Sequence, residues 1–98
     1  MTDAFQVDTE QLVRLAGVYD QQADRLAARI PVFSATVRAS PGAFGDMGPA
    51  HDAHASYLRS VDGTVSALQD AVRELRSRAT DLRAAARLYE LADEACRW

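Results

Sequence analysis

An all-α fold, an antiparallel hairpin of two long helices, is what this sequence predicts. Three observations predict it. Apolar residues recur at alternating intervals of four and three along two long segments. Glycine and proline crowd into one stretch between them, Ser40-Pro41-Gly42-Ala43-Phe44-Gly45-Asp46-Met47-Gly48-Pro49. The chain is also rich in alanine, the strongest intrinsic helix former.

The first helix begins after Asp8 or Thr9, either of which suits the N-cap, with Glu10 and Gln11 in the first turn. Its seam runs Leu12, Ala16, Tyr19, Ala23, Leu26, Ile30, Phe33, Val37. That spacing lines one face of a helix in the manner of a heptad repeat. Pro31 removes a backbone donor and crowds the preceding turn, but the seam keeps phase through it. The expectation is one kinked helix ending near Ala39.

The stretch 40–49 is a turn by every local signal. The second helix opens at Pro49, a favourable first-turn residue. Its seam is His54, Leu58, Val61, Val65, Leu68, Val72, Leu75, Ala79, Leu82, Ala86, Tyr89. Gly63 lies off the seam and weakens the helix by roughly 1 kcal/mol relative to Ala without shifting its phase. The whole chain therefore reads as one hairpin domain, 1–98: helix about 9–39, turn 40–49, helix about 49–95.

Folding about the turn pairs positions whose numbers sum to roughly 89. Val37 then lies near Asp52, Leu26 near Val61 and Val65, and Leu12 near Leu75 and Ala79. The second helix would overhang from Asp81 onward, by about 20 Å. On that overhang Leu82, Ala86 and Tyr89 continue the seam, while Ala84, Leu88, Leu91 and Ala95 form a second apolar face. Val18, Ala28, Val32 and Ala35 lie on the back of the first helix. Two helices do not enclose a core alone, so dimerisation into a four-helix bundle is expected.

Length and composition bound the function. A chain of 98 residues buries only about 60–65% of its unfolded surface. A net charge of −3 and a pI near 5.2 argue against nucleic acid as a partner. One cysteine, Cys96, closes no internal disulfide. No apolar run approaches the length of an integral membrane segment. Met1 to Phe5 has neither a basic region nor an apolar run, so no cleavable signal peptide is expected.

The chemistry-bearing residues are few. His51 and His54 share a helix face, but a metal needs further ligands, and only Asp46 and Asp52 are near. No metal site and no cofactor is expected. Arg73, Arg76, Arg83 and Arg87 form a stripe beside the seam, read chiefly as a solvated flank paired with Asp70, Glu74, Glu90 and Glu94. No Lys, no nucleophile with a base and no glycine phosphate loop is present, so the chain is not read as an enzyme. Phe44, beside Gly45 in the turn, is either a loop anchor or an exposed recognition point. Tyr89 and Asp93 are one turn apart near the end of the second helix.

With its length, hairpin pattern and Tyr89-x-x-x-Asp93, the chain resembles the small helical-hairpin substrates of actinobacterial type VII (ESX) secretion, relatives of the WXG-type proteins. Phe5-Gln6-Val7-Asp8 followed by Leu12, the central Ala43-Phe44-Gly45, and Leu88-Tyr89 to Asp93 resemble the EspC-like branch in particular. Ala43 and Phe44 stand where the better-known branch carries Trp-x-Gly. The resemblance implies a non-enzymatic protein that is cytoplasmic before export and then secreted or held at the cell surface. It implies a secretion signal at Tyr89 and Asp93, supporting receptor or partner contacts at Leu88 and Leu91, and turn recognition at Phe44 and Gly45. The implied partners are the type VII secretion ATPase and a second copy or a related hairpin. The alternative is an intracellular helical dimerisation or adaptor module with no export role.

Overall fold

The computed structural model describes residues 8–39 and 48–96. They form two helices, α1 (Thr9–Arg38) and α2 (Gly48–Cys96), and no strand among the described residues. The turn bearing Phe44 and Gly45 and the opening Phe5-Gln6-Val7 lie outside the described residues.

Asp8 is the N-cap of α1. Its carboxylate Oδ1 accepts from the backbone N–H of Glu10 at 2.9 Å and of Gln11 at 3.3 Å. Its carbonyl accepts from Gln11 and Leu12, so the first orphan donors of the helix are satisfied. The helix is continuous through Pro31, and Arg38 stands in its last turn, where a cation complements the carbonyl end. The backbone N–H of Ala39 still donates to the Ala35 carbonyl at 3.0 Å.

α1 and α2 pair in two compact units. One joins α1 through Ala23 with α2 from Glu74 onward; the other joins α1 from Asp24 with α2 through Arg73. Each unit sets an early part of one helix against a late part of the other, so the pairing is antiparallel. In the first unit the buried residues are small: Ala16, Ala23, Ala79 and Ala86. Alanine at the seam lets two helices approach toward the near end of the usual ~8–10 Å range. In the second unit Ile30, Val61 and Val72 are buried. Leu12, Tyr19, Leu26, Val37, Leu58, Val65, Leu68, Leu75 and Leu82 are half-buried along the same two seams. Phe33, on the expected seam, is exposed at its edge. Among the described residues no large side chain is fully buried.

The register differs from a tightly closed hairpin. That register would set Asp20 opposite Gln69 and Arg38 beside His51. Instead Asp20 pairs with Arg83 at 2.6 Å, and Arg38 pairs with Asp62. In each unit α2 is displaced by about three to four helical turns, and even an arginine does not reach that far. Cover consequently extends further along α2 than expected: Leu82 is half-buried and Ala86 is buried. Uninterrupted exposure begins at Arg87 rather than Asp81 and continues to Cys96.

Candidate functional site

The last turns of α2 carry Leu88, Tyr89, Leu91 and Asp93. Ala86 is the last buried seam position, and beyond it the helix continues with exposed residues. Tyr89 keeps the phase of the seam yet is 49% exposed. Asp93 stands one turn beyond it on the same side and is exposed as well. Leu88 and Leu91 are 67% and 55% exposed. At about 100° per residue, Leu91 stands some 160° around the helix from Tyr89. The four residues therefore form two faces, Tyr89 with Asp93 and Leu88 with Leu91, with Leu88 about 100° around the helix from Tyr89.

Charge at this end runs against the helix dipole. α2 has no basic residue in its last turn, whereas Asp93 and Glu94 sit near its carbonyl terminus. Negative charge there is disfavoured by ~0.3–1 kcal/mol. Arg87, Glu90, Leu91, Asp93 and Glu94 line a shallow, open depression. Among the described residues no group of three His, Cys, Asp or Glu is placed to hold a metal ion. His54 is half-buried on the α2 seam, and the side chain of His51 lies outside the described ones. Cys96 is an exposed free thiol at the end of α2.

The arginine stripe divides its attention between helices. Arg73 pairs with Asp70 on its own helix. Glu74 pairs with Arg78 at 3.0 Å, and its hydrogen bond and charge hold that guanidinium above its ordinary range, with a smaller push from Tyr19. Arg83 crosses to Asp20 of α1 instead of staying within the solvated flank. The cross-helix pairs Asp20–Arg83 and Arg38–Asp62 escaped the sequence reading, though a signal for them exists. All four residues directly follow a seam position: Tyr19, Leu82, Val37 and Val61. Such flanking positions face the neighbouring helix.

A protein-family model described as excreted virulence factor EspC, type VII ESX diderm, matches residues 1–97. No curated protein and no solved structure matches the chain. No helix among the described residues is long and apolar enough to cross a membrane. A match of this extent, on a chain of two long paired helices, places the protein in the EspC family of type VII (ESX) secretion-related virulence factors.

Proposed function

We propose that the chain is exported by a type VII (ESX) system in its folded, helical form, and that Tyr89 and Asp93 on the exposed end of α2 are its secretion signal. The observation that carries this is the exposure of a regular helix beyond the seam: Tyr89 keeps the seam phase but lies half in solvent. The carboxylate of Asp93 stands near the carbonyl end of the helix, where the dipole disfavours it, which favours a role in recognition. The receptor in this reading is the membrane ATPase of the secretion system. The chain itself acts by protein–protein interaction, not catalysis, and is secreted or held at the cell surface after a cytoplasmic stage.

A helical partner belongs to the same reading. The exposed apolar residues on the back of α1 and the absence, among the described residues, of a fully buried large side chain favour a bundle completed by a second copy or a related hairpin. The same exposure favours the second reading, an intracellular adaptor with no export role. A blot of culture filtrate against cell lysate, in a host with an intact type VII system, separates the two. Tyr89→Ala and Asp93→Ala should retain helicity and melting behaviour and remain in the lysate. Normal export of both variants would remove the signal assignment, and a wild type confined to the lysate would leave only the adaptor.

A further inference from the structure

Two uncovered stripes share one pattern. On α1 and its first following residue, Ala28, Val32, Ala35 and Ala39 recur at intervals of four, three and four. On α2, Ala84, Leu88, Leu91 and Ala95 recur at the same intervals. All eight residues are exposed, and each set lies on a helix face turned away from that helix's own seam. Val32 and Leu88, 65% and 67% exposed, are the two most exposed of the large apolar side chains described. The stripes belong to different compact units, and the exposure of each shows that its own helix pair does not cover it.

Their surroundings are complementary. Residues 25–39 hold Arg25, Arg29 and Arg38 and no acidic residue, although Arg38 already pairs with Asp62 of α2. Residues 84–96 hold Glu90, Asp93 and Glu94 against a single Arg87. Size is complementary too. The α1 stripe is mostly alanine, which leaves shallow holes, and the α2 stripe supplies two leucine knobs. Opposite net charge steers such an encounter and disfavours like stripes meeting.

We infer that the occupant of each stripe is the other stripe of a second copy of this chain: the α1 face at Ala28, Val32, Ala35 and Ala39 receives Leu88 and Leu91 from its neighbour. This goes beyond the export reading and does not rest on it, because neither stripe includes Tyr89 or Asp93, and Asp93 enters only through the net charge of that end. The contact is heterologous: two different patches meet.

That asymmetry gives the test. Val32→Asp spoils one stripe and Leu88→Asp the other, and both residues are exposed, so circular dichroism should match wild type, as should melting at a concentration low enough to keep wild type monomeric. The full chain is followed by sedimentation velocity at increasing micromolar concentration. Wild type should associate, and each variant alone should sediment as a monomer. An equimolar mixture should regain association, because one intact α1 stripe and one intact α2 stripe remain. A monomeric wild type, a single variant that still associates, or a mixture that stays monomeric would each overturn the inference.

Discussion

Asp20 of α1 and Arg83 of α2 meet at 2.6 Å across the helix pair, and this contact reports the register of the unit that contains the candidate signal. It draws cover along α2 as far as Ala86 and leaves Tyr89 as the first seam residue in the open. Both partners remain partly solvated, Asp20 at 37% and Arg83 at 47% side-chain exposure. The pair therefore helps choose an alignment more than it stabilises the fold.

The energetic expectation is small. Asp20→Ala and Arg83→Ala should each lower stability by no more than ~1 kcal/mol, with a coupling of about 0.2–1 kcal/mol in a double-mutant cycle. Chemical denaturation at low and high salt checks this, since the coupling should shrink as salt rises. A coupling of several kcal/mol would mean a buried network that the observed exposure does not allow.

The seam itself should be far less tolerant. Val72 is buried, so Val72→Asp places a carboxylate among apolar side chains and should cost roughly 3 kcal/mol or more. Far-ultraviolet circular dichroism on heating should show lost or strongly lowered melting. A variant that melts like wild type would contradict the seam assignment.

Close approach at the alanines makes a second packing prediction. Ala79 has no exposed surface, so Ala79→Leu should overpack the pair and destabilise it by about 1–3 kcal/mol. Ala84→Leu, on an exposed face of the same helix, should leave denaturant midpoints nearly unchanged.

Gly63 offers the opposite sign. It lies within α2, and a Cβ built there meets nothing within 4 Å. Gly63→Ala should therefore stabilise the protein by roughly 0.8–1 kcal/mol, raising the melting temperature by several degrees. A lowered melting temperature would show that something occupies the space beside Gly63.

The helices were legible because burial imposes a period that local chemistry repeats. From Leu12 to Val37 and from His54 to Ala86, nearly every seam residue is buried or half-buried. Asp8 was legible as a cap for a similar reason, since a short carboxylate before a helix has free N–H groups within reach. The register was not legible. A seam of period seven fits itself equally well after sliding by whole heptads, and the choice rests on sparse features such as Asp20 with Arg83 and Arg38 with Asp62. Phe33 shows the limit at the single-residue level: it keeps the phase of the α1 seam yet remains at the edge of cover. Spacing could place Tyr89, Asp93, Leu88 and Leu91 on α2, but only the observed end of cover shows that all four are exposed.

The most direct measurement compares Tyr89 with an equally exposed apolar residue in the same compact unit. Tyr89 is 49% exposed and Val18 is 48% exposed. Tyr89→Ala and Val18→Ala therefore each truncate a side chain that is about half in solvent, and both should leave the melting curve almost unchanged. In a host with an intact type VII system, the ratio of protein in culture filtrate to protein in lysate is then measured for both. Loss of export for Tyr89→Ala, with Val18→Ala at wild-type levels, is the predicted result. Equal export of the two variants would contradict the assignment of the signal to the exposed end of α2.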